Sequence, residues 1–252
     1  RNEAEVSNHL ADILDKMVHE YFPQRYENAM KALDVLKEAM VELESWSLKG
    51  FSNEEQPKIS IQRFTTVTVN RRGRIISRTQ GQAEVIRENI GNGVFLEMVK
   101  IPGGRFLMGS PDTEAQRRSS EGPQHYVDVP EFFMGKYAVT QGQWEAVMGN
   151  NPSSFKGASR PVEQVSWYDA TKFCQKLSQI TGKKYSLPSE SQWEYACRAR
   201  TTTPFYFGET ITSKLVNYNG NYTYADAPKG KYRGETTNVG IFPPNAFGLY
   251  DM

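Results

Sequence analysis

Two cysteines, Cys174 and Cys197, are the side chains in this sequence best suited to redox or nucleophilic chemistry. Two thiols are too few for a structural zinc site or for a disulfide framework. We therefore expect both to be reduced and buried as small apolar side chains, as in a cytoplasmic protein. A disulfide between them stays open as the alternative if the helices that carry them lie side by side.

Other ionisable residues offer weaker candidates. Glu190 and Glu194 lie one helical turn apart, a spacing that could serve acid–base chemistry. Capping and ion pairing are the commoner roles of such a pair, and we predict them here. The three histidines, His9, His19 and His125, do not have the spacing of metal ligands.

Composition excludes some classes of function. With 30 Lys and Arg against 29 Asp and Glu, the net charge is +1, so nucleic acid is an unlikely partner. Four arginines between residues 71 and 78 are interpreted as a solvated turn. No apolar run approaches the ~20 residues of a membrane span, and no signal peptide is visible, which favours a cytoplasmic protein without membrane contact. Because the sequence begins at Arg1, a targeting segment could have been trimmed away.

The N-terminal residues 1–47 predict a helical hairpin. Apolar residues recur at helical spacing over 4–22, Pro23 interrupts the pattern, and a second amphipathic segment follows. Two helices alone cannot bury both apolar faces, so the hairpin needs either the main domain or a second copy of the chain. Residues 4–46 are thus a candidate element for homo-oligomerisation. The polar residues 48–57 predict a linker.

From residue 58 the pattern changes from helical to strand-like. Residues 58–93 predict a β-hairpin and a connector, with a turn at 70–73 and a short helix around 82–88. A further strand is predicted over 94–101. Three helices follow, at Gln141–Met148, 167–180 and 189–198, each opened by a Ser or Thr cap. Residues 201–245 are predicted to be mostly irregular.

Six motifs in the second part of the chain, in this order, resemble the formylglycine-generating enzyme (sulfatase-modifying factor) family. Each is weak alone, but six in register over about 150 residues form a specific pattern. The motifs are IPGGRFLMG (101–109), GPQH (122–125), YAVTQGQW (137–144), PVEQVSW (161–167), LPSESQWEYAC (187–197) and PNAFGLYDM (244–252).

The resemblance implies an α+β fold, a C-type-lectin-like domain with little regular structure, over residues 94–252. It also implies that this domain is incomplete at its C-terminus, because the family pattern continues beyond Met252. Three tryptophans of the motifs, Trp144, Trp167 and Trp193, are expected to anchor the core.

The resemblance also bears on metals. The family's oxidases bind copper through a cysteine pair near the C-terminus, and neither Cys174 nor Cys197 occupies those positions, so no copper site is expected in this chain. Family members can bind calcium through an asparagine and carbonyl oxygens. Asn217 matches that asparagine best, which makes Asn217, Tyr218 and Asn219 a candidate calcium site.

Two functions remain compatible with the sequence. The first is a non-catalytic module that binds a protein or a small ligand, as do the variable proteins of diversity-generating retroelements on the same scaffold. The second is a copper-dependent oxidase that converts a sulfatase cysteine to formylglycine, with its catalytic cysteines beyond Met252. The predicted hairpin favours the first, because an oligomerising element increases avidity.

Overall fold

A four-stranded antiparallel sheet forms the framework of residues 59–252, the part of the chain that the computed structural model describes. Six strands occur in this part, and the sheet order is β1-β2-β3-β6, with β4 and β5 paired separately. In chain order they are β1 (Ser60–Val69), β2 (Ile75–Asn89), β3 (Phe95–Ile101), β4 (Gly104–Met108), β5 (His125–Val129) and β6 (Phe132–Gly135). The predicted helical hairpin (1–47) and linker (48–57) lie outside the described residues.

The β1–β2 hairpin confirms the turn predicted at 70–73. The Asn70 carboxamide oxygen accepts the backbone N–H groups of Arg72 (3.0 Å) and Arg74 (3.1 Å). Gly73 has a φ of 71°, a left-handed conformation that glycine adopts without a steric cost. The arginines of this turn are exposed, in keeping with a solvated turn.

The short helix predicted around 82–88 is wrong, because these residues form the second half of β2. Glu84 pairs with Ile61 of β1 on one side, and Val85 pairs with Val99 of β3. Gln, Ala, Glu and Arg favour helix locally, but pairing with two strands and burial of Val85 override that preference. The long strand β2 therefore pairs with β1 through most of its length and with β3 through its C-terminal part, and joins both in one sheet.

Three α-helices follow the sheet, α1 (Gln141–Met148), α2 (Trp167–Thr181) and α3 (Glu190–Arg198). Each begins at the predicted Ser or Thr cap, and each has a capping box, which the sequence predicts only for Ser189 and Gln192 of α3. In this motif the cap hydroxyl and a side chain three residues later accept each other's backbone N–H groups. The predicted bounds agree with the structure to within one residue. After Arg198 the chain continues to residue 252 without a further helix or strand, as the sequence predicts.

Two of the three apolar clusters in residues 59–252 pack the helices, and the third packs β1 against Phe207 and Leu215. The first packs α3 against the sheet and includes Val99, Ala196 and Leu249, each fully buried. The second packs α1 and α2 together through Trp144, Phe173, Leu177 and their neighbours. Each large apolar side chain in these clusters, such as Val99 or Leu177, contributes about 1.5–3 kcal/mol when it leaves water. This burial stabilises helices too short to persist alone.

Helix lengths and hydropathy also bear on membrane contact. Within residues 59–252, none of the helices combines the length and apolar character that crossing a bilayer requires.

Candidate functional site

An apolar cavity of about 700 Å³ lies between the sheet and helices α1 and α2. Strands β2, β3 and β6 contribute one wall, the two helices a second, and residues 183–193 a third. Its apolar side chains include Ile86, Leu96, Met98, Phe132, Phe133, Met134, Val139, Trp144, Val162, Val165, Phe173, Leu177, Leu187 and Trp193. This size and lining are typical of sites for small molecules or for apolar side chains of a partner.

The helical wall of the cavity is fixed by a stacked aromatic pair. The rings of Trp144 on α1 and Phe173 on α2 are 5.2 Å apart with an interplanar angle of 5°. The indole N–H of Trp144 donates to the Asn150 side chain at 3.3 Å, so burial leaves no unsatisfied donor on this ring. The two helices are therefore held in a fixed orientation on this side of the cavity.

Most polar groups of the cavity lie in the segment after α2, and the Tyr137 phenol lies in the segment after β6. Lys183 pairs with Glu88 of β2 at 2.6 Å, and the Tyr185 hydroxyl donates to the same carboxylate at 3.2 Å. Burial, and secondarily the nearby Glu88 charge, raise the pKa of the Tyr185 phenol well above its usual value, so it stays a neutral donor. Lys184 and Gln192 add a positive charge and an amide to this edge.

The three tryptophans do not share the role predicted for them. Trp144 is buried as expected, with 3% exposure, but Trp167 is 65% exposed and Trp193 is 48% exposed. Trp167 begins α2, almost two turns before Phe173, the first residue of the helix that is buried in the core. Its ring packs edge-on against exposed Tyr168. Trp193 lies at the opening of the cavity, because it lines the cavity and still contacts solvent. The prediction of core anchors is therefore wrong for Trp167 and Trp193.

Both cysteines are free, so the alternative of a disulfide between them is not realised. Cys174 lines the cavity and packs in the cluster of α1 and α2. Burial raises the pKa of the Cys197 thiol to about 11, and burial also raises the pKa of Cys174. Both side chains are therefore neutral thiols at pH 7, not activated nucleophiles.

Glu194 has the ion-pairing role predicted for it. Its Oε1 atom accepts from Arg198 Nε at 2.7 Å and from the Gly109 backbone N–H at 2.9 Å. Arg198 in turn donates to the Gly109 carbonyl at 2.8 Å, which fixes the end of β4 to α3. Glu190 is exposed on the first turn of α3, where its charge complements the helix dipole.

The candidate calcium residues also make hydrogen bonds within the protein. The Asn217 side-chain nitrogen donates to the Glu235 carbonyl at 2.9 Å, the Tyr218 hydroxyl donates to Ile211, and the Asn219 side chain accepts the Asn221 N–H. None of the three supplies a carboxylate, and within residues 59–252 no three His, Cys, Asp or Glu side chains form a metal-ligand group. This donor set fits a tightly bound calcium ion poorly, and calcium binding at Asn217 stays a prediction.

Sequence reasoning missed the cavity. Its walls come from segments far apart in the chain, and most of its residues occupy ordinary core positions of strands and helices. The local signal of the cavity was Trp193. It precedes buried Tyr195 by two residues on α3 and therefore lies on a different side of the helix.

Comparison with known proteins places the chain in a family. The profile of the family described as "Sulfatase-modifying factor enzyme 1-like domain" matches residues 83–252. The structure of PvdO from Pseudomonas aeruginosa is similar at 32% identity and a TM-score of 0.53, over 66% of this chain and 69% of PvdO. Treponema denticola variable protein 1 is similar at 25% identity and a TM-score of 0.51, over 66% of this chain and 72% of that protein.

Among curated proteins, the formylglycine-generating enzyme of Mus musculus is 25% identical over 62% of this chain. The matched region spans 55% of the mouse enzyme's length. The family profile covers more than half of the chain, and the similar solved structures have the C-type-lectin-like α+β fold that the motifs predict. The chain therefore belongs to the sulfatase-modifying factor family, that of the formylglycine-generating enzymes.

Proposed function

We propose that this protein is a non-catalytic binding module on the formylglycine-generating-enzyme scaffold, and that its ligand inserts an apolar group into the cavity described above. The observation that carries the proposal is the cavity itself, with its volume of about 700 Å³, its largely apolar lining and its opening at Trp193. Cavities of this kind bury most of the surface of a small molecule or of an inserted side chain.

The polar edge of the cavity supports a ligand with a polar or anionic end. Most polar groups of the lining, including Lys183, Tyr185 and Gln192, come from residues 183–192, and the rest of the lining is largely apolar. A few polar groups in an apolar pocket fix the orientation of a ligand and reject ligands that lack the matching group. The chemistry favoured here is therefore an apolar body with a hydrogen-bonding or negatively charged end.

The state of the thiols also supports a binding role for this part of the protein. A thiol with a raised pKa is a poor nucleophile and a poor metal ligand at neutral pH, and this applies to Cys174 and to Cys197. Cys174 packs in the apolar cluster of α1 and α2, and Cys197 is half-buried on α3.

Similarity to Treponema denticola variable protein 1 favours a variable protein of a diversity-generating retroelement as the specific form of this module. Homo-oligomerisation through residues 4–46 would add avidity to a modest single-site affinity. A cytoplasmic location fits the reduced thiols.

The alternative function is a copper-dependent formylglycine-generating oxidase that acts on sulfatase cysteines. Similarity to the mouse formylglycine-generating enzyme favours it. The catalytic cysteine pair would then belong to a part of the protein outside these 252 residues.

Binding of the fluorescent probe 1-anilinonaphthalene-8-sulfonate, an apolar anion, tests the cavity. We expect saturable binding to one site that slows alkylation of Cys174 and leaves alkylation of Cys197 unchanged. Ala170→Phe, which fills the cavity, should abolish this binding, whereas Ala115→Phe on an exposed loop should preserve it. Equal binding by the two variants would overturn the assignment of the cavity as the site.

Conversion of a sulfatase-motif peptide separates the two functions. The full-length protein, together with any residues that lie outside these 252, is incubated with copper, oxygen, a thiol reductant and the peptide, and the peptide mass is followed. An unchanged cysteine is the expected result. Formylglycine in the product would refute the non-catalytic function and support the oxidase.

A further inference from the structure

A second, smaller pocket lies away from the apolar cavity and has a different chemistry. Its volume is about 330 Å³, and it is formed by the loop 231–241 together with Arg160. Its lining combines cations with hydroxyl and amide groups, namely Arg160, Lys231, Arg233, Glu235, Thr236, Thr237, Asn238 and Ile241. Three positive charges against one negative charge leave a net charge of +2 on these side chains.

The single carboxylate of the pocket is already neutralised. Glu235 pairs with Arg160 at 2.9 Å, and Arg160 also donates to the Thr236 carbonyl at 2.6 Å. Within residues 59–252, neither Lys231 nor Arg233 forms an ion pair. The uncompensated charge of the pocket therefore belongs to these two side chains.

Arg233 is held in place by the protein but lacks one acceptor. Its Nη2 atom donates to the Ser213 carbonyl at 2.9 Å, and its guanidinium carbon lies 5.3 Å from the centroid of the Phe242 ring. Its Nη1 atom is buried and has no hydrogen-bond partner in the described part of the chain. A buried charged donor without an acceptor is costly, so an acceptor from outside the chain would relieve it.

A backbone hydrogen bond holds Lys231 close to Ser213, the residue that also binds Arg233. The Lys231 N–H donates to the Ser213 hydroxyl at 2.8 Å, so Ser213 binds both the segment of Lys231 and the guanidinium of Arg233. The close packing of Gly230 on Ser213, where a β-carbon would lie 2.3 Å from the hydroxyl oxygen, prevents the segment from carrying a larger side chain there without rearrangement. The two cations are thus presented by a fixed loop.

We infer that this pocket binds a compact oxyanion, the phosphate or carboxylate group of a ligand, through Lys231 and Arg233. A guanidinium with a free N–H and a neighbouring ammonium provide charge-assisted hydrogen bonds to such an anion. The hydroxyls of Thr236 and Thr237 and the amide of Asn238 supply neutral hydrogen-bonding groups in the same pocket. The site is separate from the apolar cavity, because the two linings share no residue.

The pocket also bears on the calcium prediction. Asn217 contacts the backbone of Glu235, a residue of this pocket, and the pocket carries a net positive charge. Like charges within a few ångströms disfavour a divalent cation. The positive charge that favours binding of an anion in this part of the loop therefore disfavours binding of calcium.

Calorimetric titration of the full chain with inorganic phosphate at low ionic strength tests the inference. We expect one site that weakens with added salt and loses about tenfold or more in affinity in Lys231→Gln and in Arg233→Gln. Lys229→Gln removes the same charge from an exposed neighbour outside the lining and should change the affinity by less than about twofold. The exposed position of Lys231 makes its variant informative even if Arg233→Gln fails to fold.

Parallel titrations with sulfate and acetate identify the source of the anion. Binding of phosphate and sulfate but not acetate supports a phosphate-type ligand, whereas equal binding of acetate supports a carboxylate. Phosphate affinity that is the same in all three variants and the wild type would overturn the site. Absence of binding for all three anions, or calcium binding lost in Asn217→Ala without phosphate binding, would also overturn it.

Discussion

Asn245 donates its side-chain N–H to the carbonyl of Ala196 at 2.7 Å and thereby joins the closing loop to helix α3. Its side-chain oxygen accepts the backbone N–H groups of Phe247 and Leu249 at 3.0 and 3.1 Å. The residue is 1% exposed, so each of these bonds is made out of contact with water. One amide therefore satisfies the end of α3 and the turn of the PNAFGL motif together.

This geometry predicts that Asn245→Asp is strongly destabilising. A carboxylate has no donor for the Ala196 carbonyl and places an uncompensated charge in the core, at a cost of about 3 kcal/mol. Urea unfolding measures the loss. Asn221→Asp at an exposed turn is the matched control, and equal losses in the two variants would contradict the role of Asn245.

The different exposures of Trp144 and Trp167 predict a large loss of stability for one alanine substitution and a small loss for the other. Trp144→Ala removes a buried ring stacked on Phe173 and should cost about 3–5 kcal/mol of unfolding free energy. Trp167→Ala removes a ring that is 65% exposed and should cost about 0.5 kcal/mol or less. Chemical denaturation of the two variants decides this, with Trp144→Phe as a milder substitute if Trp144→Ala does not fold. A larger loss of unfolding free energy in Trp167→Ala than in Trp144→Ala would show that Trp167 anchors the core.

The bonds of Glu194 predict a difference between the two glutamates of α3. Glu194→Ala leaves Arg198 without its partner and the Gly109 N–H without its acceptor, and should cost about 1–3 kcal/mol. Glu190→Ala, one turn earlier and exposed, should cost about 0.5 kcal/mol or less. Thermal unfolding of both variants at pH 7 provides the comparison. If the glutamates behave alike, the link between β4 and α3 does not stabilise the fold.

The raised pKa of Cys197 predicts a pH dependence of stability. Its thiol has a pKa of about 11 in the folded protein against a usual value of 9.0, so the unfolded chain loses this proton more readily. Stability linked to this thiol is fully present below pH 9 and is lost as the pH rises toward 11.

Comparison with Cys197→Ala isolates that contribution. Between pH 8 and pH 10.5 the wild-type protein should lose more unfolding free energy than the variant, because other titrating groups are common to both. Parallel curves for the two proteins would show that the thiol is not shielded from water.

Residues 4–46 predict self-association. Light scattering should give the mass of an oligomer for the full chain and the mass of a monomer for a variant that lacks residues 1–50, because the predicted amphipathic hairpin would bury its apolar faces in a second copy. A mass that falls only by the deleted residues would contradict this prediction.

Parts of the structure that depend on local signals could be predicted from the sequence. Helices α1, α2 and α3 begin at Ser or Thr caps whose partners lie three residues later, and the six motifs identified the fold. Residues 82–88 were misassigned because their strand conformation depends on pairing with β1 and β3 and not on their own propensities.

The candidate sites required the folded chain. Hydrophobicity alone did not distinguish buried Trp144 from exposed Trp167, because both occur in helices within family motifs. The apolar cavity and the cationic pocket each combine segments from different parts of the sequence, and charge or apolar character becomes a site only when such segments meet.

The position of Phe247 and Leu249 in the first apolar cluster also affects how the protein matures. They pack with Val85 and Val99, which belong to strands made much earlier during synthesis. A ribosome adds about 5–20 residues per second, so the roughly 150 residues between Val99 and Leu249 take about 8–30 s, during which the sheet lacks the side chains that cover it. During that interval the uncovered β-strands can bind chaperones or aggregate. We therefore expect the yield of folded protein to depend on the speed of translation across residues 100–249.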